Sequence, residues 1–490
     1  MAVRLSTDTL PAIAATARVP GYDRARLSAG ILHFGIGNFH RAHQAAYLDD
    51  LFEAGRDHDF ALVGTGVTEH DGRMMTALEG QDLLTTLVEQ SADCSQARVT
   101  GAMIATIDPT DRDAILARLA DPAIRIVSLT VTEGGYFINA ATAAFDPAHP
   151  QILADAADPA HPRTVFGLIA AGLRRRRESG VPPFTVMSCD NLPHNGTVTR
   201  NAVTGLAALV DPAFADWIKT NVAFPNGMVD RITPATGERE RRILAETFGI
   251  DDAWPVFCED FRQWVLEDNF PTGRPHLEEV GVTFVSDVTP FEVMKIRILN
   301  GGHAVIAYPA GLLDIHFVHE AMQHPLISAF LAKIEREEIV PMVPPVPGTD
   351  TTAYFALIQR RFANPKIGDT IRRLCLDGSN RQPKFIIPTI AERLERGLPV
   401  SGLALESALW CRYCYGVSES GAEIAPNDPN WDRLQAAAIA ARTEPEAWLA
   451  MDDIYGAVGR DAAFRAAFSR ALTGLWENGT IAALEDYLAA

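Results

Sequence analysis

The chain has 490 residues, with 43 Lys+Arg against 62 Asp+Glu, so its formal net charge is −19. That acid excess opposes a sequence-independent grip on a phosphate backbone or an anionic membrane, and 47% hydrophobic with 21% charged residues excludes a disordered or fibrous chain. At about 150 residues per domain, two or three domains are expected. The cations are almost all arginine, the only lysines being Lys219, Lys295, Lys333, Lys366 and Lys384. Compositional drift explains most of such a bias. A guanidinium keeps its proton, however, whereas a desolvated lysine can release its own, so chemistry that needs an amine base has few candidates here.

Six cysteines are scattered along a chain with no secretory h-region near its start, which predicts reduced thiols and a cytoplasmic setting. Cys411 and Cys414 have the spacing of half a zinc site, but no second pair accompanies them; two core residues on one helix face is the expected reading. Pro309 and Gly311 interrupt the best apolar run, so no membrane span is expected.

In chain order, β-type runs at Ile31–Phe34, Phe60–Val67, Ile124–Thr132, Phe184–Ser188 and Val222–Phe224 alternate with helical stretches, each run closing on a polar or glycine-rich turn. That alternation predicts a wound, mostly parallel sheet. Beyond about Pro290 the texture becomes long helical patterns, broken at Val340–Gly348 and Asp377–Pro383. The expected fold is therefore α/β in an N-terminal domain, residues 1–285, followed by a mostly α-helical C-terminal domain, residues 286–490.

The first strand runs into Gly35-Ile36-Gly37-Asn38-Phe39-His40-Arg41 and then a helix. Two glycines at such a turn let the backbone approach a pyrophosphate, although His40 stands where the third glycine of the dinucleotide fingerprint would be. The second strand ends in Thr68-Glu69-His70-Asp71. A carboxylate at that place, Glu69 or Asp71, would bond an adenosine ribose and repel a 2′-phosphate, which favours NAD and leaves NADP the weaker alternative.

The most informative stretch is Glu292-Val-Met-Lys295-Ile-Arg-Ile-Leu-Asn300-Gly-Gly-His303. At about 100° per residue, Glu292, Lys295, Asn300 and His303 fall within roughly 140° of one another on an otherwise apolar helix. An i,i+3 ion pair explains Glu292 and Lys295 alone; four polar residues on a buried helix call for a ligand. Hydride removal from a secondary alcohol suits them, since neutral Lys295 can take the hydroxyl proton and Asn300 can donate to the developing alkoxide. Asn191 offers a second amide, directly after the Phe184–Ser188 strand, where open α/β sheets place ligands; an Asx turn before Pro193 is the alternative for that loop. No Tyr is followed four residues later by Lys, and no Cys/His cluster offers a catalytic zinc. A metal-free lysine mechanism is what remains.

At these residues the chain resembles the polyol-specific long-chain dehydrogenases, the family of mannitol 2-dehydrogenase. The resemblance rests on Gly35-x-Gly37-x-Phe39-His40-Arg41-Ala42-His43, Thr132-Glu133-Gly134-Gly135-Tyr136, Cys189-Asp190-Asn191-Leu192-Pro193-His194-Asn195-Gly196, Phe224-Pro225-Asn226 through Asp230-Arg231, Lys295 with Asn300 and His303, and Pro383-Lys384-Phe385. It implies a Rossmann-type N-terminal domain, NAD(H), no catalytic metal, and exchange of a sugar alcohol (mannitol, arabinitol or sorbitol) with its ketose. Carried over, Lys295 is the general acid/base, Asn191 and Asn300 form the oxyanion site, and Glu292 relays the proton to solvent. Asp230 and His303 bind substrate hydroxyls, with Arg373 and Arg381 as further candidates. Gly35, Gly37, Asn38, Phe39 and Arg41 belong to the cofactor turn, and Glu133, Met228 and Val229 lie near the nicotinamide. A hexuronate reductase on the same scaffold and a non-catalytic sugar or nucleotide sensor are the alternatives; no nucleic-acid or membrane partner is expected, and the oligomeric state is not legible.

Overall fold

The computed structural model describes every residue except Met1, Glu69, His70, Ala140, Ala141 and Ala143. The chain forms two compact units, Met1–Val288 and Thr289–Ala490.

Among the described residues of the first unit, thirteen strands form: β1 Val3–Arg4, β2 Ala29–Phe34, β3 Ala61–Thr65, β4 Thr85–Gln90, β5 Ser95–Thr100, β6 Met103–Ile107, β7 Ile126–Leu129, β8 Thr185–Ser188, β9 Gly227–Asp230, β10 Ile250–Asp251, β11 Val256–Glu259, β12 Gln263–Glu267 and β13 Thr283–Val285. The central five-stranded sheet has the order β6-β3-β2-β7-β8, and every pairing in it is parallel. Both faces are covered, so the strands read as unbroken apolar runs. Leu32, Phe34, Val127 and Leu129 pack in one cluster, whereas Ile31, Leu62 and Ile126 pack in another. Two three-stranded sheets, β11-β4-β5 and β13-β12-β9, flank it.

The sheet reverses its winding between β2 and β7, the switch point at which an open α/β sheet binds ligands beyond its strand ends. The approach there is very close. A Cβ on Gly35 would lie 2.1 Å from the Thr130 carbonyl oxygen, and Gly35 has φ +99°, so only glycine fits. Its own carbonyl is held by the Thr130 hydroxyl at 2.5 Å and by His33 Nε2 at 3.0 Å. Burial pushes the His33 imidazole down to about 3, so it is neutral at working pH.

Val222–Phe224, expected as a strand, is extended chain instead. Only the Ala223 carbonyl is bonded to the sheet, by the Val186 N–H at 3.0 Å, and Pro225 beyond it has no N–H to continue a ladder.

The second unit is helical around the buried Ser401–Cys414 helix, whose residues from Gly402 to Cys414 are all buried, Cys411 and Cys414 among them. The break expected at Asp377–Pro383 narrows to Asp377 alone, at φ +59°; a helix runs from Gly378 to Phe385 with Pro383 inside it. One proline removes one backbone bond, and the rest of the turn closes. Among the described residues no helix is long and apolar enough to cross a membrane.

Gly35→Ala is expected to lower unfolding stability by more than about 2 kcal/mol, because the new methyl meets backbone rather than a movable side chain. Urea denaturation checks this; an unchanged midpoint would mean the turn relaxes freely.

Candidate active site

In the first unit the expected residues gather at the carboxyl ends of β2, β7 and β8 and along β9. Gly37 precedes the Asn38–Ala42 helix, and a Cβ placed on it meets nothing within 4 Å. This turn therefore offers backbone N–H groups beside open space, the shape a pyrophosphate requires.

Two turn residues also hold the turn itself. Arg41 is buried, and its guanidinium donates to the Ile36 carbonyl at 3.2 Å, the Trp254 carbonyl at 2.5 Å and Asn38 Oδ1 at 2.8 Å. Asn38 in turn donates to Thr236 Oγ1 at 3.2 Å. Both side chains brace the turn, leaving its backbone to face a ligand. Phe39 is partly exposed and stacks on His43, with ring centroids 4.9 Å apart.

Asp71 is similarly committed: its Oδ2 accepts from the backbone N–H groups of Val67 at 2.8 Å and Thr68 at 3.0 Å. Glu69 lies outside the described residues.

Asp190 organises the ends of β7 and β8. Its carboxylate accepts from Val131 N at 3.0 Å, Thr132 N at 2.9 Å and the Tyr136 hydroxyl at 2.7 Å, while burial pushes it up from the usual range. Thr132 sits at φ 65°, ψ 163°, a region essentially reserved for glycine, which costs of order 1–3 kcal/mol and persists only where neighbours over-determine it. Glu133 follows immediately and is exposed, as is Asn191 on the β8 side.

Asn195, fully buried, was not singled out by sequence reasoning beyond its motif. Its amide donates to the Asp190 carbonyl at 3.1 Å and the Gly227 carbonyl at 2.8 Å, and its Oδ1 accepts from Gly227 N at 2.9 Å. It thereby locks the Asn191 loop to β9, which carries Met228, Val229 and Asp230, all buried. Arg231, next along, donates to the Ala42 carbonyl at 2.5 Å and ties β9 to the cofactor-turn helix.

In the second unit, Glu292 lies in a short helix, Thr289–Met294. Lys295–Asn300 is then a π-helix, and Gly301–Leu312 resumes as α. The regular α spacing assumed from sequence therefore does not hold across the four polar residues: the widened turn bonds i to i+5, an arrangement frequent at functional sites. Glu292 and Lys295 are both buried. His303 stacks on Phe362, centroids 4.3 Å apart at 17°, and its Nε2 is buried with no hydrogen-bond partner among the described residues. Burial, with Arg373, Arg361 and Arg381 nearby, pushes this imidazole well down, so it is neutral.

Arg361, buried beside Phe362, joins this group without having been anticipated; in sequence it reads as the end of an amphipathic helix. Arg373 has a carboxylate partner, Asp369, reached by Nε at 2.5 Å and also by Nη2. Arg381 donates to the Leu374 carbonyl at 3.0 Å, and Lys384 is exposed. A second π-helix, Glu335–Ile339, brings the buried Glu335 against Gly302, where a Cβ would lie 3.1 Å from its Oε1. Desolvation pushes that carboxyl well up, so it is a neutral acid.

Comparison with known proteins is specific. Residues 29–279 match the mannitol dehydrogenase Rossmann domain and residues 287–476 the mannitol dehydrogenase C-terminal domain. A mannitol 2-dehydrogenase of Cereibacter sphaeroides is 58% identical over 472 residues, 96% of this chain and 98% of that one. Its counterpart from Pyricularia oryzae is 41% identical, covering 100% and 99%. Among solved structures, the Pseudomonas fluorescens mannitol 2-dehydrogenase in ternary complex with NAD and D-mannitol superposes with a TM-score of 0.88 at 43% identity, covering 99% of this chain and 100% of that one. A substrate-free D-sorbitol dehydrogenase gives 0.91 at 36%, covering 98% and 100%.

Asp190→Ala leaves three donors without their acceptor and releases Thr132. The expected loss is about 2–4 kcal/mol of unfolding stability, with Asp190→Asn losing less because one oxygen still accepts. Chemical denaturation of both variants checks the order.

Proposed function

The chain belongs to the mannitol dehydrogenase family, and from that premise we propose that it interconverts D-mannitol, or a closely related polyol, with its 2-ketose using NAD. The observation that carries this reading is the ternary complex of the solved relative with NAD and D-mannitol, whose chain this one matches from end to end.

The residues fit such a cofactor. The Gly35–Gly37 turn presents backbone to open space. The Asp71 carboxylate after β3 supports NAD over NADP, since a 2′-phosphate there would meet negative charge. When bound, NAD supplies the hydride acceptor at its nicotinamide. Glu133, Met228 and Val229 are assigned to that end of the cofactor.

Lys295 is the proposed base. In neutral form it accepts the proton of the C2 hydroxyl as the C–H bond gives up hydride, and it returns that proton to the alkoxide in the reverse direction. Asn191 and Asn300 donate amide N–H groups to the oxygen on which charge develops, stabilising the transition state more than the ground state. His303, held neutral, offers Nε2 to a substrate hydroxyl; Asp230 accepts from another. Arg381 extends the contact along the polyol, and Glu292, one helical turn before Lys295, carries the proton onward. Arg373 is already neutralised by Asp369, which favours an uncharged polyol over a uronate, whose carboxylate needs a free cation.

Steady-state rates with mannitol, sorbitol, arabinitol, fructose and fructuronate, each with NAD(H) and NADP(H), test the assignment. Mannitol and fructose with NAD(H) are expected to lead, and a hundredfold preference for fructuronate would overturn it. Lys295→Ala should reduce mannitol oxidation by more than a hundredfold with NAD affinity preserved. Because the deprotonated amine is the base, wild-type oxidation should rise with pH to a plateau while ketose reduction falls.

A further inference from the structure

The helix Gly378–Phe385 carries Arg381 on its outer side; near its start the buried Ser379 bonds Asp428, and further along a buried polar contact ties it to the Ser401–Cys414 helix. Gln382 Nε2 donates to Glu406 Oε1 at 2.5 Å, and both residues are buried, at 1% and 0% exposure. Glu406 stands in the middle of the Ser401–Cys414 helix, among apolar neighbours. Its Oε2, like Gln382 Oε1, has no partner among the described residues. A carboxyl in such surroundings costs free energy that a leucine would not, so packing does not explain it.

The same short helix is fitted tightly at both ends. At its start, a Cβ on Gly378 would lie 2.6 Å from Trp410 Nε1 and 3.0 Å from the Tyr308 hydroxyl. At its end, the Phe385 carbonyl lies 3.6 Å from where Gly301 would carry a Cβ, immediately after the Lys295–Asn300 π-helix. Between these ends, Arg381 donates to the Arg373 and Leu374 carbonyls. The Gln382–Glu406 hydrogen bond, together with the Ser379–Asp428 bonds near the helix start, holds the rotation of the helix about its axis, and on that rotation depends where Arg381 points.

We propose that Gln382 and Glu406 are a buried positioning pair that sets Arg381 in the geometry the substrate needs. The proposal rests on the assignment of Arg381 as a substrate contact. Burial, opposed by the Gln382 bond, pushes the Glu406 carboxyl up to about 8. The titratable groups around it are Tyr308 and Tyr455 from neighbouring helices and the Cys411 thiol on its own, all pushed well up by burial; Cys375 and Cys414, also pushed up, lie beyond Tyr308. All are neutral at working pH, so no cation among them offsets a charged Glu406. Since its folded value is above the unfolded one, its penalty on the fold is absent below about 4.5 and grows as pH rises to about 8.

The test uses the full-length enzyme with NAD and mannitol, comparing wild type with Glu406→Gln, Glu406→Leu, Gln382→Leu, Arg381→Ala and the Glu406→Leu/Arg381→Ala double variant. Glu406→Leu and Gln382→Leu should raise the mannitol KM tenfold or more, change kcat less than threefold, and leave the Kd for NAD unchanged. Glu406→Gln, which can still accept from Gln382, should restore KM to within about twofold of wild type. The double variant should be no worse than Arg381→Ala alone, since coupled residues are non-additive. Between pH 6 and pH 8.5 the wild-type Tm should fall further than that of Glu406→Gln. A normal KM in both leucine variants, or a double variant whose losses multiply, would overturn the proposal. If Arg381→Ala alone binds mannitol normally, the substrate assignment of Arg381 fails instead. Should Glu406→Leu not fold, Gln382→Leu and Glu406→Gln carry the same comparison.

Discussion

Three hydrogen bonds to one carboxylate set the geometry of the first unit's site. Asp190 gathers the N–H groups of Val131 and Thr132 and the Tyr136 hydroxyl, and so turns the chain leaving β7 sharply at a threonine that would not adopt this conformation unaided. Because β7 and β8 are parallel neighbours, their carboxyl ends already lie side by side; Asp190 converts adjacency into a fixed junction. Glu133 emerges on one side of it and Asn191 on the other. Asn195 extends the junction to Gly227, and Arg231 carries it on to the helix that begins after Gly37. The Gly35–Gly37 turn, the Asn191 loop and the β9 residues are thereby one connected body of hydrogen bonds.

The second unit solves a different problem. It must hold several polar side chains inside an apolar helical body, where each unsatisfied group is costly. A π-helix at Lys295–Asn300 widens the backbone at the residues proposed as base and oxyanion donor. The paired glycines Gly301 and Gly302 then let neighbouring helices approach, Phe385 on one side and Glu335 with Phe362 on the other. His303 is kept neutral by burial and by nearby guanidinium groups, which suits a side chain assigned to neutral hydroxyls.

Sequence reading reached the parallel sheet because its strands are buried on both faces and appear as continuous apolar runs ending in turns. It found four of the five strands of that sheet and missed its edge strand β6, and it missed the strands of the smaller sheets, such as β4, β5 and β11, whose residues are mixed in polarity and whose pairing depends on partners far along the chain, as with Val256 against Leu87. The Gly35 and Lys295 segments were visible because each concentrates unusual residue types in a short span. The roles of Asp190 and Asn195 were not, since their partners are mostly backbone groups with no signature of their own. Nor does side-chain periodicity distinguish a π-helix from an α-helix over six residues. Arg41 and Arg373 were recognised as special; only the structure reveals the protein acceptors that bind their guanidinium groups.

That last point returns to the balance of cations. Arginine does the structural work throughout: Arg176, deep in the first unit, donates to the carbonyls of Leu119, Asp121, Ile124 and Pro182, and Arg297 joins Glu392 to the Met342 carbonyl. A planar group that is always charged and carries five donors is well matched to such knots. The lysines do little of this. Lys219 pairs with Asp216 on the surface, Lys333 reaches the Tyr487 carbonyl, and Lys384 is exposed. Lys295 stands apart, buried beside Arg297 on the same π-helix. Two basic residues separated by one position occupy one turn, and the Arg297 guanidinium binds the Met342 carbonyl and the Glu392 carboxylate, a task that suits a group that keeps its proton, whereas of the two side chains only a lysine's can release one on desolvation.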